Sequence, residues 1–268
     1  MKRSEKIRLD QLLVDRELYP SRSRAQSAIL EGKVLVNGMK DVKAGDRVKL
    51  DARIELLEPD CPYVSRGGLK LAGALDRFGI DVNGFTALDI GASTGGFTDC
   101  LLKRGASHVT ALDVGKGLIA WPLRTDERVA VIENINARNM PDDIARGPFD
   151  IIAIDVSFIS LKLIFPNLPS RLNSSGSILA LIKPQFEAGR EKVGRGIVKD
   201  SRVWTEVLQS FVQPEIFNTE NPPVLKGFAV SPIEGREGNR EFFGLWKMGA
   251  EESDLDLISG MIAGITVD

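Results

Sequence analysis

The apolar positions of this chain follow two different periods. Leu9, Leu12 and Leu13 share one face of a helix, and so do Ala25, Ala28, Ile29 and Leu30. Pro20-Ser21 separates the two runs, with Ser21 placed to cap the second helix and Gly32 placed to end it. The period then becomes that of strands. Lys33-Val34-Leu35-Val36 runs into Asn37-Gly38, a strong hairpin signal, and Arg47-Val48-Lys49-Leu50 forms a second short strand. Residues 51–64, with Pro59, Pro62 and few periodic apolar positions, read as a linker.

The helical period returns over residues 65–78, where Leu69, Leu71, Ala74 and Leu75 are apolar. Beyond it, strands alternate with helical stretches, at 87–90, 109–113, 129–133, 149–155, 177–183, 224–230 and 240–246. Several are near-continuous apolar runs, as parallel strands covered on both faces require. The last two strands leave no room for a helix between them, so that pair is antiparallel. Leu255, Leu257, Ile258, Met261 and Ile262 predict a docked terminal helix. The expected architecture is therefore α/β: a small α+β domain with its linker at 1–60, then a mostly parallel seven-stranded sheet with helices on both faces at 61–268.

Charge sharpens this division. The chain of 268 residues carries a net charge of −2, but residues 1–50 hold 12 Lys and Arg against 7 Asp and Glu. A basic module joined to an acidic one suggests a polyanionic partner for the first. No apolar run approaches the roughly 18–20 residues that span a bilayer, and the N-terminus lacks the apolar stretch of a secretory signal. The two cysteines, Cys61 and Cys100, lack CxxC spacing, which argues against a zinc site or disulfide framework and for a reducing cytoplasmic setting.

Two groups of residues carry candidate chemistry. The first follows the first strand of the larger domain: Asp89-Ile90-Gly91-Ala92-Ser93-Thr94-Gly95-Gly96-Phe97-Thr98. Small residues at such a strand-to-helix turn let backbone approach a ligand, and a side chain at Gly91 is expected to fill the ligand's space. The run is neither the GxGxxG of dinucleotide enzymes nor the GxxxxGK[ST] of nucleoside triphosphatases. Asp113 ends the second strand, where a carboxylate can accept hydrogen bonds from ribose hydroxyls. Asn134, Asn136 and Ala137 follow the third, where an adenine edge could sit.

The second group is Lys70, Asp155, Lys183 and Glu241. Asp155 and Lys183 end apolar strands, Glu241 begins the last strand, and Lys70 lies on the helix before the first. Charges at the ends of buried strands are costly unless paired. A salt-bridge network along the sheet rim and a catalytic cluster both satisfy that requirement. The loop 187–196, glycine-rich and basic, reads as a lid over bound nucleic acid or as a solvated connection. His108, the only histidine, has no matched partner.

These segments resemble known families. Arg8-Leu9-Asp10, Ser21-Arg22-Ser23-Arg24-Ala25 and Gly32–Gly38 resemble the S4-type RNA-binding domain, which implies that Arg8, Arg22, Arg24 and Lys33 meet RNA phosphates. The glycine-rich run resembles that of the FtsJ-like methyltransferases, which have a Rossmann-like class I fold. That resemblance implies S-adenosylmethionine as cofactor, bound by Asp89, Gly91, Ala92, Ser93, Thr94, Gly95, Gly96, Phe97, Asp113, Asn136 and Ala137. It also implies that Lys70, Asp155, Lys183 and Glu241 form the Lys-Asp-Lys-Glu tetrad of ribose methylation, with no metal. Lys183 would then bond the 2′-oxygen, as base or as stabiliser of the developing alkoxide, and Asp155 would orient it.

The whole arrangement, including Val64-Ser65-Arg66-Gly67-Gly68-Leu69-Lys70, Ile154-Asp155-Val156-Ser157-Phe158 and Lys183-Pro184-Gln185-Phe186-Glu187, resembles the TlyA (hemolysin A) family over residues 6–247. This implies transfer of a methyl group to a cytidine 2′-hydroxyl of ribosomal RNA, with ribosomal RNA or subunits as partner and Arg66 near it. No membrane and no obligatory protein partner is implied. Two alternatives have their own signatures. A non-enzymatic ribosome-assembly factor would not need the tetrad, and a haemolysin would need a membrane-active segment.

Overall fold

The computed structural model describes the chain except residues 1–5, 20, 31, 40–41, 58–60, 190, 195, 236–237, 253 and 268, and the side chains of Ser23, Arg24, Ser27 and Leu30. Two compact units emerge, Met1–Asp60 and Cys61–Asp268. In the first, β1 (Lys6–Arg8) leads into α1 (Leu9–Asp15) and α2 (Arg22–Leu30), followed by β2 (Val34–Val36), β3 (Arg47–Lys49) and β4 (Ile54–Leu56). Leu9, Leu13, Ala25, Ala28, Ile29, Val34 and Val36 close its core, on the helical and strand periods of the sequence. Asn37 (φ 51°) and Gly38 (φ 80°) make the turn after β2, both in the left-handed region that Asn-Gly tolerates.

Pairing differs from the expected single hairpin. β2 pairs antiparallel with β4, and β3 with β1. Two of these strands were not expected: β4 falls inside the segment 51–64 that reads as a linker, and β1 precedes the first helix. A three-residue strand carries too little alternation to declare itself, and both are created by long-range pairing.

In the larger unit α3 (Arg66–Phe78) precedes β5 (Thr86–Ile90), α4 (Gly96–Lys103), β6 (His108–Leu112), α5 (Trp121–Arg124), β7 (Val129–Ile132) and β8 (Phe149–Ile154). Then come β9 (Leu172–Ile182), α6 (Pro184–Glu187), α7 (Ser201–Gln209), β10 (Val224–Val230), β11 (Phe242–Lys247) and α8 (Leu255–Thr266). The seven strands lie in the order β10-β11-β9-β8-β5-β6-β7. β11 runs antiparallel to both of its neighbours, and the other pairings are parallel. The expected seven-stranded, mostly parallel sheet is thus present. β9 starts five residues earlier than its apolar run, because Asn173-Ser174-Ser175 hides its first half.

Alternation along the strands divides the core in two. Ile152, Ile154, Ile178, Ala180, Ile182 and Phe242 pack on one face, with α7 and α8. Ile151, Ala153, Leu179, Leu181, Phe243 and Leu245 pack on the other, with Leu71, Ala74 and Leu75 of α3. The terminal helix docks through Ile258 and Ile262, whereas Leu255 and Leu257 stay exposed, contrary to the expected apolar face. Among the described residues, no helix is long and apolar enough to cross a membrane.

Candidate active site

The same alternation aims the four charged residues. Asp155 follows Ile151 and Ala153 at period two, Lys183 follows Leu179 and Leu181, and Glu241 precedes Phe243 and Leu245. All three therefore point to the face covered by α3, which carries Lys70. Because β11 is antiparallel, its beginning lies beside the end of β9, with Phe242 opposite Ile182. One sheet edge thus gathers charges from positions 70, 155, 183 and 241.

They meet as two pairs. Lys70 Nζ donates to Glu241 Oε2 at 2.5 Å, with side chains only 12% and 3% exposed. Lys183 Nζ lies 2.7 Å from Asp155 Oδ1, as an ion pair without hydrogen-bond alignment, and donates at 3.0 Å to Ser157 Oγ. Lys183 is itself buried, and its Nζ sits 5.9 Å from the ring centre of Phe186. Phe186 in turn lies 5.0 Å from Phe158, centre to centre. Phe158 is 91% exposed and held at φ 65°, a conformation that a bulky residue rarely adopts.

The glycine-rich turn adjoins this cluster. Gly91 (φ 86°) sits so close to Asp155 that a Cβ would collide with the Asp155 carbonyl oxygen. A Cβ at Gly95 would collide with Leu123, and one at Gly96 with Ser65 Oγ. At Gly91, where the neighbour is backbone and φ is positive, the protein's own packing already excludes a side chain, so a substitution there disturbs the fold as well as any ligand space. The turn exposes Ser93 and Thr94, while Ala92 and Phe97 are buried, Phe97 stacking on Phe243.

Asp89 also departs from expectation. Its side chain is fully buried, and Oδ2 accepts from the Thr98 backbone N–H (2.9 Å) and hydroxyl (2.6 Å). It braces the first turn of α4 from beneath and has no surface to offer a ligand. Burial, with the charges of Asp155 and Asp113 adding to it, raises its pKa to about 7 against the two Thr98 hydrogen bonds.

Asp113 stands at the end of β6, with Oδ2 accepting from Ser93 N (2.7 Å) and Oδ1 from Gly115 N (2.6 Å). It ties the glycine-rich turn to the next strand and stays partly exposed. Asn136 is exposed and caps a single 3-10 turn by accepting from Arg138 N, and Ala137 is buried beneath it. The ends of β5, β6 and β7 therefore present, side by side, a tight turn, a carboxylate and an amide.

Residues 63–247 match the FtsJ-like methyltransferase family, and residues 7–54 match the S4 domain. The chain belongs to the FtsJ-like methyltransferase family. It is 40% identical over 246 residues to the 16S/23S rRNA (cytidine-2′-O)-methyltransferase TlyA of Mycobacterium tuberculosis, covering 91% of this chain and 90% of that protein. It is 41% identical over 238 residues to Hemolysin A of Brachyspira hyodysenteriae, covering 88% of this chain and 98% of its relative. A solved structure from Streptococcus thermophilus, labelled a candidate hemolysin, matches with a TM-score of 0.72 at 40% identity, over 98% of this chain and 96% of that one.

In the S4 domain of this FtsJ-like methyltransferase, the basic residues are organised around one buried acid. Asp10, with no exposed surface, receives Arg8 through two hydrogen bonds (3.0 Å each), Arg22 at 2.9 Å and Gln26 at 2.7 Å. Arg8 holds its carboxyl well below the usual carboxylate range. The side chains of Arg8 and Arg22 keep 48% and 49% of their surface exposed, so each is anchored and still accessible. Lys33 is half-buried immediately before β2, and the side chain of Arg24 lies outside the described residues. In the other unit, Arg66 is exposed at the start of α3 and donates to the Glu234 carbonyl at 3.4 Å. In the loop 187–196, Arg190 and Arg195 lie outside the described residues.

Ser157, Phe158, Phe186 and Glu187 have individual roles that the sequence does not single out. A polar or aromatic residue in a loop or a single short helical turn has no periodicity to mark it. Only its neighbours across the fold do.

Proposed function

We propose that this FtsJ-like methyltransferase moves a methyl group from S-adenosylmethionine to a ribose 2′-hydroxyl of ribosomal RNA, with cytidine as the target. The carrying observation is the convergence of Lys183, Asp155, Ser157, Lys70 and Glu241 at one sheet edge beside the glycine-rich turn. The chain's resemblance along nearly its whole length to a named rRNA (cytidine-2′-O)-methyltransferase supports the substrate class.

The residues present fit the cofactor. Asp113, partly exposed between two backbone donors, suits ribose hydroxyls, and Ser93, Thr94 and the Gly91 backbone suit the amino-acid portion. Asn136 and the backbone over Ala137 suit the adenine edge. When bound, S-adenosylmethionine supplies an electrophilic methyl on a sulfonium, which leaves without metal assistance.

The protein's part is to align the nucleophile and manage its proton. A lysine ammonium has three N–H donors. Lys183 directs one to Ser157 and sits in the charge field of Asp155, leaving donor capacity for the 2′-oxygen. As the oxygen bonds the methyl group its proton passes to solvent, and the Lys183 ammonium stabilises the partial negative charge that builds on the oxygen as that proton departs. The buried Lys70–Glu241 pair fixes the neighbouring field and keeps α3 against the loop before β11. The exposed Phe158, facing Phe186, offers a flat apolar surface to a base turned out of its stack. Arg8 and Arg22, poised on Asp10, supply phosphate contacts that position RNA without reading its sequence.

The test uses purified protein, ribosomal subunits and labelled S-adenosylmethionine, with ribose methylation mapped on the RNA. Lys183→Ala should keep cofactor affinity within a few-fold by calorimetry and lose transfer by roughly 10²-fold or more. A target carrying a 2′-deoxy sugar should accept nothing. Methylation of that substrate, or normal turnover by the variant, overturns the reading.

A further inference from the structure

Lys183 has two close polar neighbours of different kinds. Asp155 gives it an opposite charge at 2.7 Å but no hydrogen-bond alignment. Ser157 gives it an aligned acceptor at 3.0 Å. An ion pair constrains distance and is tolerant of direction, whereas a hydrogen bond weakens steeply off its axis. Direction is what an ammonium needs in order to aim its remaining N–H at a substrate oxygen.

Ser157 lies on the exposed loop after β8, where a hydroxyl would ordinarily wander. The loop is held further along. Ser160 Oγ donates to Glu187 Oε2 at 2.6 Å, and the Leu161 backbone N–H donates to Glu187 Oε1 at 2.8 Å. Glu187 ends α6, the short helix that begins directly after Lys183. The segments following β8 and β9 are therefore clasped twice, by Lys183 on Ser157 and by Glu187 on Ser160 and Leu161. The strained Phe158 and its partner Phe186 lie between the two clasps. Burial raises the pKa of Glu187, against the hydrogen bonds it accepts from Ser160 and Leu161.

We propose that Ser157 is a positioning residue that sets the direction of the Lys183 ammonium for methyl transfer, and that Glu187 latches the Ser157 loop in place. This rests on the ribose-methylation reading above and adds two residues outside the Lys-Asp-Lys-Glu set.

The experiment is steady-state methyl transfer to ribosomal subunits by the full chain, with calorimetric titration of S-adenosylmethionine. Ser157→Ala should lower kcat roughly 10- to 100-fold, the rate equivalent of one hydrogen bond to a charged group. KM for the subunits and Kd for S-adenosylmethionine should stay within about two-fold, because neither Asp113 nor the basic residues of the S4 domain are touched. Ser157→Thr, which keeps a hydroxyl, should recover most of the loss. Glu187→Ala should lower kcat in the same direction, and the double variant should fall short of the product of the two losses, as coupled residues do.

Wild-type kcat in Ser157→Ala, a Thr variant no better than Ala, or a loss that appears in KM would overturn the role of Ser157. Independent, multiplicative losses would overturn the latch. A wild-type protein that methylates no ribose would overturn the ribose-methylation reading and this inference together. An active wild type with an indifferent Ser157 removes only the inference.

Discussion

Lys70, on the helix before the sheet, and Glu241, at the start of its last strand, meet at 2.5 Å although 171 residues separate them. Their side chains are almost closed to solvent, and Glu241 is walled by Gly235, where any Cβ would strike the carboxylate. Removing one partner of such a pair leaves the other charge buried alone. Lys70→Ala should therefore lower unfolding free energy by about 3 kcal/mol in urea melts, as well as slow transfer. Lys183→Ala should cost less stability, since the Asp155 it abandons is 21% exposed. Equal stability in Lys70→Ala and wild type would show that water reaches the pair.

Gly91 is expected to matter for the fold before it matters for the cofactor. Its φ of 86° and its approach to the Asp155 carbonyl both exclude a side chain. Gly91→Val should lower stability by roughly 2 kcal/mol or more, on the scale of backbone strain plus a core clash. Ser93→Ala, on the exposed part of the same turn, should leave the melting temperature unchanged. A Gly91→Val protein as stable as wild type would mean that the turn relaxes freely.

Asp89 gives stability a pH dependence whose sign follows from its raised pKa of about 7. The folded state holds the proton more tightly than the unfolded chain, whose carboxyl titrates near 3.8. The contribution is full below that lower value and is lost as pH rises through about 7. Denaturation series between pH 5 and pH 8 should show a declining term in the wild type and a flatter profile in Asp89→Asn. Parallel profiles would place the titration elsewhere.

Arg8 and Arg22 share Asp10, so charge and orientation make opposite predictions for one substitution. Asp10→Asn removes a negative charge from the S4 domain, raising its net charge by one, but releases both guanidinium groups from their anchor. Oriented contacts predict weaker RNA binding by filter or fluorescence titration, and charge alone predicts tighter binding. Arg22→Ala should also lessen the slope of log K against log salt by about 1, as the loss of one phosphate contact requires.

The near-continuous apolar runs were enough to predict the larger sheet, because a strand buried on both faces needs apolar residues at successive positions. The glycine-rich turn, Asp113 and the three charges at strand ends, Asp155, Lys183 and Glu241, were legible for a related reason. Each stands at a boundary where an apolar run stops, and a charge there is conspicuous. Strands β1 and β4 were not legible, since three residues define no period and their pairing partners lie tens of residues away.

The pairing of the charges was legible only in part. That Asp155 meets Lys183 was expected and follows from β8 lying parallel beside β9, but that Lys70 belongs to Glu241 follows from β11 inserting antiparallel between β9 and β10. The fold likewise moved Asp89 from the ligand's side of the turn to its underside, and turned Arg8 and Arg22 into a pair held by a buried acid. Composition and periodicity report what each residue needs, burial or solvent, neighbour by neighbour along the chain. Which distant group meets that need, and in what direction, is decided only when sheet register and helix packing bring the candidates within a few ångströms.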